Sequence, residues 1–154
     1  MRQLALLIST VGYLGYVPVA PGTVGSLIGL ALFFFLQGTE STVVELGTIV
    51  ALFVVGVWSS TVAEKYFNRV DPAPVVIDET VGMLITLAFL PVNFLGAFVG
   101  FLIFRVLDVT KPFPVARLER LPRGLGVMAD DGMAAVYGNL IMRGLLAVAP
   151  NWLS

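Results

Sequence analysis

The chain has 154 residues, of which 58% are hydrophobic and only 12% charged, with a net charge of −1 and a mean hydropathy of +0.95. A water-soluble domain carries about 25% charged residues, roughly 38 in a chain of this length, against nine Lys or Arg and ten Asp or Glu here. That shortfall excludes a water-soluble monomer, and the near-neutral balance offers neither a basic surface for nucleic acid nor an acidic tail. Because His and Cys are absent, disulfides, zinc sites on nitrogen or sulfur, and His- or Cys-dependent catalysis are excluded as well. A metal would need oxygen ligands, which points to magnesium, calcium or manganese.

The first 20 residues begin like a signal peptide, with Arg2 ahead of an apolar run over 4–8. Pro21 directly after the small residue Ala20 would block cleavage, so the segment is expected to stay in the mature protein. Gly12, Gly15, Pro18 and Pro21 make a broken or re-entrant helix the expected form there. Apolar runs follow at 24–36, 46–63, 80–107 and 133–149. The third is interrupted by Pro91-Val92-Asn93 and reads as a hairpin of two short helices, 80–90 and 94–107. At 1.5 Å per residue such helices reach only about 17 to 20 Å, short of a bilayer core of about 30 Å. They would therefore recruit flanking residues, thin the bilayer or sit partly submerged. The expected fold is all-α: one domain over 1–154, a polytopic membrane bundle of about four to five short transmembrane helices.

Charge sorts these segments by side. With Arg2 in the cytoplasm, the loops over 64–79 and 105–131 fall inside and carry Lys65, Arg69, Arg105, Lys111, Arg117, Arg120 and Arg123. The loops over 37–45 and around Pro91 fall outside and carry no Lys or Arg, as the positive-inside rule requires. Trp152 after the last helix suits an outer-interface anchor.

Eight of the ten acidic residues lie between 64 and 131, grouped with the basic ones. Asp78 and Glu79 stand at the expected start of a helix, where they could cap free N–H groups and suit the dipole. Arg105 and Asp108, three apart, share a helix face and could form no more than an ion pair. Asp108 would nevertheless sit near a helix C-terminus, which disfavours a carboxylate and suggests a cation or substrate nearby. Asp130 and Asp131 are adjacent carboxylates placed just before the last helix, and a divalent ion would relieve their repulsion. Gly124 and Gly126 could let the backbone approach a phosphate. Thr23 and Ser26 could cap the first long helix, or its N-terminus could receive an anion. Gly25 and Gly29 form a small-xxx-small pair suited to helix packing. Brought to one membrane face, these groups are an inventory for acting on a lipid phosphate, and the basic residues over 105–123 would favour an anionic leaflet.

Four ordered motifs carry a resemblance. Pro21-Gly22-Thr23-Val24-Gly25-Ser26, Val76-Ile77-Asp78-Glu79-Thr80-Val81-Gly82 with Asp71 seven before Asp78, Phe104-Arg105-Val106-Leu107-Asp108-Val109-Thr110-Lys111-Pro112, and Gly124-Leu125-Gly126-Val127-Met128-Ala129-Asp130-Asp131 run over roughly residues 9 to 136. In that order they resemble the bacterial phosphatidylglycerophosphatase A family. One departure is Ala134-Ala135 where the family has Ala-Gly. The resemblance implies Mg²⁺-dependent hydrolysis of phosphatidylglycerophosphate to phosphatidylglycerol in the inner membrane, with a cytosol-facing site. It implies Asp78, Glu79, Asp130 and Asp131 as metal ligands, directly or through water. Arg105 and Lys111 would bind phosphate, with Thr23 and Ser26 as further substrate contacts, and Asp108 would be base or nucleophile.

Two other readings compete. The Asp131-Gly132-Met133-Ala134-Ala135 stretch starts like a CDP-alcohol phosphotransferase motif, but Val136 replaces its Arg and no acidic residue follows Asp131. A small transporter or ion-binding module would use carboxylates within its spans, whereas here they gather at one interface.

Overall fold

The computed structural model describes residues 1–154 and contains eight helices and no strand. They are α1 (Arg2–Ser9), α2 (Pro21–Gln37), α3 (Thr42–Phe67), α4 (Ile77–Leu87), α5 (Phe94–Thr110), α6 (Val115–Leu118), α7 (Gly124–Val148) and α8 (Pro150–Leu153). The N-terminal segment is broken as its glycines and prolines predict. α1 stops at Ser9, Val11, Tyr13 and Ala20 take positive φ, and a single 3-10 turn at Leu14–Tyr16 intervenes before Pro21 opens α2.

α4 is the centre of the bundle, packed mainly by α2 and α7 and also by α3 and α5. Nine of its eleven residues are buried. This changes the meaning of its shortness. The sequence predicts a short helix that must adapt to the bilayer, but α4 is enclosed by longer helices and has no such requirement. Its C-terminus ends inside the bundle, where Asn139 Nδ2 of α7 donates to the carbonyls of Ile85, Thr86 and Ala88 at 3.0 to 3.1 Å. Ile85 already accepts the Ala88 backbone N–H at 3.2 Å, so Asn139 chiefly serves the Thr86 and Ala88 carbonyls, of the kind that the end of a helix leaves without a partner. Arg143 Nε in turn donates to Asn139 Oδ1 at 2.8 Å.

The α2–α4 contact is made by glycines. A Cβ on Gly25 would stand 2.7 Å from the Val76 carbonyl oxygen, and one on Gly29 would stand 2.8 Å from Met83 Cβ. The small-xxx-small pair is thus a packing device, and Thr80 reinforces it by donating its hydroxyl to the Gly25 carbonyl at 2.9 Å. On the other side of α4, Ala134 and Ala135 are fully buried in the core with Leu84, Leu87 and Phe104.

Two helix starts differ from the sequence reading. Asp130 and Asp131 lie inside α7, which begins at Gly124, not ahead of it. At the start of α2 the N-cap is Ala20 and neither Thr23 nor Ser26 caps; the Ser26 hydroxyl donates back to the Gly22 carbonyl at 2.9 Å.

One helix, α3, is long and apolar enough to cross a membrane by itself, and α2 is a shorter apolar helix. At 26 residues, α3 is about 39 Å long. Large apolar side chains point outward around the bundle, among them Phe35, Val54, Phe94, Leu102, Val106 and Leu140, each close to half exposed or more.

Candidate active site

Helix direction places the chemistry. α2, α4 and α7 begin, and α3 and α5 end, at the same end of the bundle. Every Asp, Glu, Lys and Arg except Glu40, Glu45 and Arg143 belongs to that end or to its loops. The first turn of α4 carries Asp78 and Glu79, with N-cap Val76 and no side-chain cap. Their side chains are therefore not used as caps; they turn toward α7 and α2.

Asp78, Glu79 and Asp131 each offer a carboxylate oxygen, and these atoms lie within 4.8 Å of one another. Asp78 and Asp131 are buried, at 5% and 4% exposure. Asp78 Oδ1, Glu79 Oε2 and Asp131 Oδ2 are all buried without a hydrogen-bond partner. A buried carboxylate oxygen without a partner costs free energy, and three carboxylates this close repel one another, a repulsion that a positive group between them would relieve. The all-oxygen donor set suits a hard divalent cation such as magnesium.

Arg105, in the last turns of α5, faces this cluster. Its Nη1 lies 2.7 Å from Asp108 Oδ2 and 3.9 Å from Glu79 Oε1, and it donates to Ser26 Oγ at 3.5 Å. Gly22 of α2 makes room for it, because a Cβ there would come within 3.1 Å of both guanidinium Nη atoms. Arg105, Asp108, Glu79 and Ser26 therefore meet around the start of α2. The Thr23 hydroxyl makes no hydrogen bond within the protein.

Asp130 stands apart from the three-carboxylate cluster. Its Oδ2 is 2.6 Å from Lys111 Nζ, while its Oδ1 is buried and unpartnered. Lys111 also pairs with Glu119 at 3.3 Å. Burial works against the Lys111 charge, but Asp130 and Glu119 outweigh it and hold the ammonium above its ordinary range. Glu119 is a member of this arrangement that sequence reasoning missed, since a loop residue eight positions from its partner has no periodic signal. Asp71, on the loop before α4 with φ 46°, reaches the same mouth. Its carboxyl is pushed up by desolvation, against the pull of Lys111, with Glu119 and Asp108 adding to the rise.

The glycines before the Asp pair do not form an open cradle. A Cβ on Gly124 would stand 2.9 Å from Ser60 Cβ of α3, and one on Gly126 would stand 2.6 Å from the Leu121 carbonyl. Both serve to seat the start of α7 against protein.

The model of the phosphatidylglycerophosphatase A family matches residues 7–146 of this chain. The chain belongs to the phosphatidylglycerophosphatase A family. Among its relatives, the phosphatidylglycerophosphatase A of Escherichia coli is 34% identical over 124 residues, covering 79% of this chain and 72% of the relative. That of Haemophilus influenzae is 32% identical over 130 residues, covering 83% and 80%. A Bacteroides thetaiotaomicron protein with the provisional name phosphatidylinositol-3-phosphatase is 35% identical over 146 residues, covering 90% and 91%. All three are named as phosphatases of phosphorylated lipids. No solved structure matches the chain. The phosphatidylglycerophosphatase A match spans every element that contributes to the carboxylate cluster, from α2 to α7.

Proposed function

We propose that this chain is a Mg²⁺-dependent phosphatase that removes the terminal phosphate of phosphatidylglycerophosphate, leaving phosphatidylglycerol and inorganic phosphate. The observation that carries the reading is the convergence of Asp78, Glu79 and Asp131 within 4.8 Å, with three unpartnered buried oxygens, beside an arginine in a chain of this family.

Asp78, Glu79 and Asp131 would hold the ion, and Asp130, turned onto Lys111, would act on it through water. A bound Mg²⁺ supplies Lewis-acid polarisation of the phosphoryl group and offsets charge on its oxygens. Arg105 binds phosphate oxygens, and the Ser26 and Thr23 hydroxyls complete the contact at the start of α2. Asp108, oriented by its 2.7 Å contact with Arg105, takes a proton from the attacking water. The water oxygen joins phosphorus as the phosphorus–oxygen bond to glycerol breaks; the leaving glycerol oxygen takes a proton from solvent water at the open mouth, and Asp108 gives its proton back to solvent, so the protons balance. Lys111 orients Asp130 and adds positive charge at the mouth for the incoming phosphate.

In the same reading α2, α3, α5 and α7 cross the bilayer of the bacterial inner membrane around α4, and the charged end faces the cytoplasm. The clustering of basic residues at that end supports this orientation. The outward apolar side chains support lipid as their surroundings, and Trp152, 73% exposed near the far end, suits the opposite interface.

The test is phosphate release by the purified protein in detergent, with Mg²⁺ and then with excess EDTA. Phosphatidylglycerophosphate and phosphatidylinositol 3-phosphate serve as parallel substrates. Metal-dependent release from the first, faster than from the second, is expected. Release that ignores EDTA would remove the metal from the mechanism, and preference for the inositol lipid would reassign the substrate.

A further inference from the structure

The largest cavity of the molecule lies away from the carboxylate site, between α1 and the end of α3. It measures about 620 Å³ and is lined by Met1, Arg2, Trp58, Val62, Lys65 and Tyr66. None of these residues contributes to the cluster around Asp78.

Its upper wall is cationic and has no counter-charge. Arg2 and Lys65 are absent from the four ion pairs of the protein; the Arg2 guanidinium instead lies over the Tyr66 ring, 5.5 Å from its centroid. Two uncompensated cations lining one opening attract an anion. The lower wall is different in kind. Trp58, Val62 and Lys65 follow at helical spacing on α3, so the indole lies below the ammonium by about 10 Å along the axis. The row continues through Val54, Val50 and Leu46, exposed by 62%, 52% and 50%. It extends about 18 Å further along α3 from Trp58 to Leu46. A ligand that satisfies the whole surface is negatively charged at one end and apolar along a chain. Free phosphate would use only the cations and leave the apolar row uncovered.

We propose that this cavity binds an anionic phospholipid, with its phosphate between Arg2 and Lys65 and an acyl chain along Trp58, Val54 and Val50. The site is separate from the catalytic one, and the product of the proposed reaction belongs to the class of lipid it takes. The inference rests on the membrane placement proposed above.

Trp58 is a reporter built into the site, because the chain has only two tryptophans. The protein with Trp152→Phe is placed in phosphatidylcholine vesicles with a minor fraction of phosphatidylglycerol. Its fluorescence is quenched by brominated acyl chains carried on one lipid or on the other. Brominated phosphatidylglycerol should quench more strongly per molecule, corresponding to a local enrichment of up to roughly thirtyfold, the scale of two basic residues acting on an anionic headgroup. Arg2→Gln with Lys65→Gln should abolish the preference, and either substitution alone should weaken it, which keeps the test open if the double variant does not fold. Equal quenching by the two lipids, or a preference that survives in folded variants, would overturn the site while leaving the membrane placement standing. Absence of quenching by either lipid would overturn both.

Discussion

At the scale of single residues, carboxylates that would hold an ion separate from those that orient. Asp131→Asn keeps the side-chain shape and removes one ligand charge, so Mg²⁺-dependent turnover should fall on the order of 100-fold or more while the thermal transition survives. Full activity in that variant would remove Asp131 from the site. Asp71 calls for a different expectation. Its folded-state pKa is raised, so the neutral form is favoured in the fold. The resulting contribution to stability is present below the unfolded pKa and lost as pH rises through the folded value. Asp71→Asn should therefore raise the melting temperature slightly at neutral pH in EDTA and lose that gain in acid, with only a mild effect on turnover. A dead enzyme would place Asp71 among the essential groups. Most of the candidate site is legible in the sequence because charges are sparse in this chain: Asp78, Glu79, Arg105, Asp108, Lys111 and the Asp pair stand out against an apolar background. Their division of labour is not. Adjacent Asp130 and Asp131 look equivalent in sequence, yet the helix sends one to Lys111 and the other to the cluster, because neighbouring side chains diverge by about 100° on a helix.

Among the elements, α4 decides the fold, and two devices hold it. One is the glycine face of α2. Gly29→Val would drive a branched side chain into Met83 and Thr80, an overpacking that typically costs about 1 to 3 kcal/mol. Gly144→Ala meets nothing within 4 Å and, inside α7, should be neutral to slightly stabilising, because Ala is the better helix former. Melting temperatures of the two variants in detergent check the contrast, and equal values would mean that α2 does not pack on α4 through this face. The second device is Asn139. Asn139→Leu leaves the carbonyls of Thr86 and Ala88 without this partner and should cost about 1 to 3 kcal/mol, read in the same assay. The sequence predicts the hairpin of α4 and α5 to within a few residues because Pro91 and Asn93 punctuate it, and Asn93 does cap α5 by accepting from the Gly96 N–H at 2.9 Å. It places the start of α7 several residues late, since an apolar run stops at charged residues. Here the helix continues through Asp130 and Asp131, whose buried side chains meet Lys111 and the carboxylate cluster inside the bundle.

For the molecule as a whole, antiparallel helices gather nearly all charge at one end of an apolar bundle. The alternation along the sequence of loops with Lys and Arg and loops without them already carries that arrangement. The enclosure of α4 has no such signature, because burial of one short apolar helix by others leaves the same composition as contact with lipid. The absence of Cys makes topology directly measurable. Ala116→Cys, at the charged end, should react with a membrane-impermeant maleimide only from the cytoplasmic side, and Thr39→Cys only from the opposite side. Labelling of both from one side would contradict the proposed crossing. The central claim remains the ion held by Asp78, Glu79 and Asp131, and its most direct test is the electron paramagnetic resonance of Mn²⁺ titrated into the purified protein. The expected result is saturable binding that Mg²⁺ displaces and that Asp131→Asn weakens strongly; no bound Mn²⁺ in the folded protein, or binding unchanged in that variant, would contradict it.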